Sequence, residues 1–223
     1  MFWGRKGKPG SREPSGLEQA ASTVVSKLVD AGIDGVGPLV PAADVAEKAR
    51  ARNKDLQAAI DEVISSHKKL AAANGFVTGL GGFVTLPVAL PANILGFYAV
   101  ATRMVGAIAH LRGYSLHRPE VRSAVMLTLI GADATSVLSK AGLNPVGRIA
   151  GVAMRQLPAP ALMVLNKGIG FQILSQTAKR NLSRLGRGVP LAGGVIGAGL
   201  DWWLLDRIGD DAKDEFVHRE LVA

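Results

Sequence analysis

The 223-residue chain has no cysteine, few aromatic residues (5%) and, between Leu70 and Thr102, no charged side chain of either sign. The first absence excludes disulfides, thiolate metal sites and a cysteine nucleophile, and makes a cytoplasmic setting the economical expectation. The second leaves few platforms on which nucleic-acid bases could stack. Familiar catalytic patterns are missing too. There is no phosphate-cradling G-x-x-x-x-G-K-[ST] loop, no G-x-S-x-G elbow and no H-E-x-x-H pair. His110 and His117 are seven residues apart with Gly113 between them, and neither His67 nor His218 has a neighbour at metal-ligand spacing. No cofactor, metal or catalytic residue is therefore expected, and a non-enzymatic role is the simpler reading.

What is present is charge, unevenly placed. The formal net charge is +8. Residues 1–16 contribute +3, residues 17–70 contribute −1, residues 103–187 contribute +10 and residues 201–223 contribute −4. In the basic middle only Glu120 and Asp133 are acidic. Such asymmetry points to an anionic partner. The arginines are scattered over several segments and form no helix-turn-helix pattern, so nucleic acid is the poorer candidate and a phospholipid surface the better one. Lys179, Arg180, Arg184 and Arg187 form the densest basic run.

Periodicity is helical throughout, and no two-residue alternation persists long enough for a strand. Residues 1–15, rich in Gly, Pro and basic side chains, are expected to be a disordered basic segment without the apolar core of a signal peptide. Residues 16–223 are expected to form one all-α multi-helix bundle around a central apolar hairpin interrupted by Gly and Pro. Helical patterns begin at Ser15-Gly-Leu-Glu18, at Ala42 and near Asn53, and Gly32, Gly35, Gly37 and Pro38 end the first of them. Pro119 and Glu120 open a further helix that Gly142 stops. Shorter helices are expected at about 145–156, 160–167, 171–185, 191–206 and 210–221.

The uncharged run of 33 residues exceeds the ~20 that cross a bilayer as a helix. Pro87 and Pro91 divide it, and each half, about 16 residues or roughly 24 Å of helix, is shorter than a ~30 Å hydrocarbon core. Two placements follow: a short hairpin inserted in the membrane, or a hairpin enclosed in a soluble bundle. Lys68, Lys69 and Arg103 flank the run and would hold both ends on the cytoplasmic face. Gly75 with Gly79, and Gly193 with Gly197, each form G-x-x-x-G, a spacing that lets helix backbones approach closely in lipid or in a tight core. Gly82 follows the first pair. A buried arginine needs a partner, because an unpaired ion inside a protein costs several kcal/mol. Arg103 is therefore expected to meet Asp133 or Asp201, with His110 further along the same helix; the alternative is a polar site in an apolar pocket. Trp202-Trp203 suits a membrane interface or a core–surface boundary.

The order of these motifs resembles the EcsC family of bacterial proteins. The matching pieces are Ala31-Gly-Ile-Asp-Gly-Val-Gly-Pro38, Gly75-Phe-Val-Thr-Gly-Leu-Gly-Gly82, Leu86-Pro-Val-Ala-Leu-Pro-Ala-Asn93, Arg103 with Ala107-Ile-Ala-His-Leu-Arg-Gly-Tyr114, Leu129-Ile-Gly-Ala-Asp133, and Val189-Pro-Leu-Ala-Gly-Gly-Val-Ile-Gly197 with Arg207-Ile-Gly209. The resemblance implies a helical, membrane-associated protein without an agreed enzymatic activity. The name-giving member is encoded with an ABC-type transporter, so a membrane transporter is an implied partner. Gly82, Pro91, Asn93, Arg103 and Gly194 match the family pattern, whereas Asp133 stands where the family would carry a small polar residue such as Asn. The expected role is an accessory protein at the cytoplasmic side of the inner membrane, peripheral or partly inserted, that contacts anionic headgroups. The alternative is a soluble domain binding a lipid or small amphiphile in an apolar pocket, with hydrolytic chemistry at Arg103, Asp133 or Asp201.

Overall fold

The computed structural model describes residues 16–37, 39–80, 86–144, 147–149, 151, 159–184 and 190–217. Residues 1–15, Gly82, Arg187 and most of the helix expected at 145–156 lie outside them. The described residues are all-α, as the periodicity predicts. In chain order the helices are α1 (Gly16–Val29), α2 (Ala42–Arg52), α3 (Leu56–Leu80), α4 (Leu86–Leu111), α5 (Pro119–Ile130), α6 (Ala134–Lys140), α7 (Ala159–Arg184) and α8 (Pro190–Glu215).

Local chemistry explains most boundaries. A π-helical turn, Asp30–Gly35, continues α1 and ends where Gly35 and Gly37 take positive φ. Arg122 of α5 holds that turn in place, pairing through both terminal nitrogens with Asp34 and through Nε with the Leu116 carbonyl. Asp55 caps α3 by accepting the Ala58 amide at 2.9 Å. Pro119 opens α5, and Gly131, at φ 54°, separates α5 from a 3-10 turn and α6. The helix opened by Pro119 is thus interrupted at Gly131 instead of running unbroken to Gly142, where a turn (φ 75°) follows α6.

Two expected breaks do not occur. The segments expected at 160–167 and 171–185 form one helix, α7, across Gly168 and Gly170. Those expected at 191–206 and 210–221 form α8, which runs through Gly209 to Glu215. Glycine inside a helix costs about 1 kcal/mol relative to alanine, but at these positions it permits close packing. A β-carbon on Gly170 would strike the Ala21 backbone of α1, and one on Gly168 would lie 2.8 Å from the Val137 side chain of α6. One on Gly209 would lie 3.1 Å from three atoms of Ile64 on α3. Helix–helix contact, rather than chain reversal, is the reason for these glycines.

The neutral run also divides differently from expectation. Its helices end at Leu80 and resume at Leu86, so Pro87 sits in the first turn of α4, where a missing amide costs little, and Pro91 lies within the helix. The two arms are not confined to the neutral run either. α3 and α4 contain 25 and 26 residues, about 38 Å each; α3 begins as an ordinary amphipathic helix, whereas α4 runs on into the core.

One contiguous core joins these elements. α4 and α5 lie at its centre: Phe97–Ala109 and Ser123–Ile130 are buried. The stretch Pro119–Lys140 is long and apolar enough to cross a membrane, but most of it is enclosed by protein and it is a core element. α2 contributes an alanine stripe (Ala42, Ala46, Ala49) that lets α4 approach at Gly106. α1 and α7 pack together on one side, and α3 and α8 on the other.

Candidate functional site

The polar centre of the molecule lies where α3, α4 and α8 meet. Along α3 the residues Ala59, Ile60, Val63, Ile64 and His67 share the buried face, and His67 is the one polar member of that stripe. Its side chain reaches Arg103 of α4, which is 8% exposed. Arg103 Nε donates to His67 Nε2 at 3.1 Å. Since arginine can only donate, Nε2 must be the accepting nitrogen, so the proton resides on Nδ1 and is donated to the Val63 carbonyl at 2.7 Å. Burial is the main reason that His67 is pushed down to about 4, with the adjacent guanidinium adding to it. Burial also lowers the Arg103 guanidinium below its usual range.

The third helix contributes Asp201, 3% exposed and engaged in interactions of its own. Next to it, Trp202 lies beneath Lys68, whose Nζ is 4.5 Å from the ring centroid. Lys68 also pairs with Asp206 one turn further along, at 2.5 Å. Lys213 meets Asp61 at 3.3 Å. Contacts of 68 with 202 and 206, 64 with 209 and 61 with 213 define an antiparallel α3–α8 pair in continuous register.

The sequence-based candidates thus fall in different places. Arg103 and Asp201 lie on the two helices that pack against α3. His110 lies two turns beyond Arg103, about 10 Å along α4, with Nε2 4.0 Å from Glu47 of α2. Asp133 is half-buried in the 3-10 turn after α5 and has interactions there. Gly75 and Gly79 lie on α3, Gly193 and Gly197 on α8, and Lys179, Arg180 and Arg184 on α7; their side-chain surroundings lie outside the described residues. His67 is the participant that reading the sequence for chemistry passed over. Its signal was visible: a lone histidine at i+3 and i+4 from Ile64 and Val63, on an otherwise apolar face.

This knot is built to hold helices rather than to transfer protons. At neutral pH His67 is uncharged, both of its nitrogens are occupied, and the ring is enclosed. Among the described residues no group of three or more His, Asp or Glu side chains is placed to hold a metal ion.

A second feature is a cleft of about 810 Å³ between α1, α5 and α7, with Val25, Val29, Met126 and Leu162 among its apolar walls and Ser26, Asn166 and Lys167 among its polar ones. Ser123 donates to Asn166 at 3.3 Å across it.

Fold and centre together define an all-helical domain whose long uncharged arms are pinned at their base by a buried His–Arg contact. Residues 14–221 match the EcsC protein family, and the chain belongs to that family. Neither the curated proteins nor the solved structures contain a match to it.

Proposed function

We propose that the protein is a membrane-associated helical accessory that works at the cytoplasmic face of the inner membrane and contacts anionic lipid headgroups, in a membrane process such as transport. The observation that carries this reading is that charge vanishes over the facing arms of one helical hairpin. Residues 70–80 of α3 and 86–102 of α4 contain no charged side chain, while Lys68, Lys69 and Arg103 stand at their base. Hairpin arms that return both ends to basic residues suit a membrane approached from one side. The basic run on and after α7 supplies further attraction for anionic lipid.

Sedimentation with phosphatidylglycerol-containing vesicles and with purely zwitterionic ones tests this. The full chain is expected to pellet with the former more strongly, and added salt is expected to weaken the difference. Each basic residue near an anionic surface contributes about 1 kcal/mol, so neutralising Lys179, Arg180, Arg184 and Arg187 together, about 4 kcal/mol, is expected to weaken binding by up to about a thousandfold. Indifference to vesicle charge contradicts the reading.

The cleft supports a second reading, in which the domain holds a lipid or small amphiphile between α1, α5 and α7. Its volume is within the range of small-molecule sites, and its walls mix apolar and hydrogen-bonding groups. Ser22, exposed at its edge, provides the test: Ser22→Trp is expected to abolish binding of a fluorescent fatty acid, and unchanged binding removes this reading.

A further inference from the structure

We propose that α8 completes the membrane-contacting pole, and that this pole is a one-leaflet anchor whose headgroup level is marked by Lys68 and Trp202. The proposal rests on the membrane reading above and adds to it a third helix, a depth and a boundary.

The boundary comes from the register. On α3 the last charged residues before the neutral run are Lys68 and Lys69. On α8, whose direction is opposite, the first charged residue after the neutral start is Asp201. The Lys68–Trp202 and Lys68–Asp206 contacts bring these two points to the same height, and the Arg103–His67 contact brings the base of α4 there too. Charge therefore ends at one level on three adjacent helices, not at three unrelated positions. Beyond it, residues 70–80 and 190–200 are wholly uncharged.

The exposed surface changes at the same level. Leu70 (41% exposed), Val195 (66%), Leu200 (41%) and Trp203 (57%) are large apolar side chains open to solvent at or beyond it. On the opposite side of the level, the exposed positions of α8 are Arg207, Asp210 and Asp214. Exposed apolar groups gathered at one end of adjacent helices mark an interaction surface. A tryptophan stacked under a lysine suits the interface between headgroup and acyl chain, where an amphipathic ring has its polar edge in the wet layer.

The depth follows from helix length. Above the charge boundary the uncharged segments are residues 70–80 of α3, 86–102 of α4 and 190–200 of α8. They rise about 17, 26 and 17 Å along their helices. That reach is shorter than a ~30 Å hydrocarbon core on every helix, and on two of them about half of it. It is enough to fill one leaflet and too little to cross both. Lipid is the occupant that explains the shared charge boundary together with the exposed apolar side chains at and beyond it.

The absence of cysteine makes single-site labelling direct. A nitroxide on Val195→Cys lies roughly 12 Å tipward of Trp203 along α8, and one on Asp210→Cys lies on the charged side. On binding vesicles of phosphatidylethanolamine and phosphatidylglycerol, the Val195 label is expected to lose most collisions with an external nickel chelate while gaining collisions with oxygen. The Asp210 label is expected to keep its chelate access, and chelate sealed inside the vesicles is expected not to reach Val195. Leu200→Cys provides a second label site with the same expected outcome. If the protein binds but the Val195 and Leu200 labels keep full access to external chelate, it lies on the headgroups; the anchor is wrong and the membrane reading stands. Access from sealed-in chelate means crossing, and also overturns the proposal. Failure to bind these vesicles at all overturns both.

Discussion

Acidification from pH 7 to pH 4 is expected to cost the wild-type fold about 3 kcal/mol more than it costs a His67→Gln variant. His67 titrates near its ordinary 6.5 when the chain is unfolded and at about 4 when folded. The unfolded chain therefore takes up a proton as pH falls through 6.5, while the folded protein resists it until about 4. The contribution of neutral His67 is complete above the unfolded value, declines through the interval between the two, and is gone below the folded one. Structure supplies the cause. A second proton would have to reside on Nε2, where it would point at the Arg103 Nε–H in an enclosed space. Glutamine removes the titration while retaining an acceptor for Arg103. Urea unfolding at a series of pH values checks the expectation as the difference between the two proteins, since carboxylates common to both cancel. Parallel pH profiles would show that His67 does not face this environment.

The double variant Leu200→Glu, Trp203→Glu is expected to weaken binding to anionic vesicles by at least about a hundredfold. Each large apolar side chain is worth about 1.5–3 kcal/mol when fully removed from water. Leu200 and Trp203 are only partly covered by the protein itself, so about 1.5 kcal/mol from each is a reasonable share. Their joint loss, about 3 kcal/mol, corresponds to two decades of affinity. The two carboxylates then oppose an anionic surface and increase the loss. Both positions face solvent, so folding is expected to be retained, and the unfolding midpoint checks that directly. Retained vesicle affinity with a retained fold would place the contact on another surface.

Much of this architecture was legible in the residues. Apolar spacing located α1, α2 and α3, Pro119 located the start of α5, and the uncharged run announced that one hairpin differs from the rest. Where pattern and structure differ, the residues concerned are glycine and proline, which punctuate less here than their local propensity suggests. Gly168, Gly170 and Gly209 mark places where another helix comes close, a property of tertiary packing that a local pattern cannot display. Pro87 reads as a break between two halves, yet it belongs to a first turn, and the arms extend beyond the neutral run, α3 into an amphipathic helix and α4 into the core. For the polar centre, burial demands a partner for Arg103, and the residue pattern suggests a carboxylate because charge pairing is the commonest solution. The partner the structure gives its Nε is a neutral imidazole, 36 residues upstream. Asp201 was recognisable as unusual from its apolar surroundings. The common level of Lys68, Arg103 and Trp202 was not, because it depends on the antiparallel register of α3 with α4 and α8.

One pole of this helical domain is expected to enter a single leaflet of an anionic membrane. Neutron reflectometry of the full chain bound to a supported phosphatidylglycerol-containing bilayer measures this directly. The expected profile has protein within the hydrocarbon of the facing leaflet and none in the opposite one, with the body of the domain outside the headgroups. Protein confined to the water side of the headgroups, or distributed through both leaflets, would contradict it.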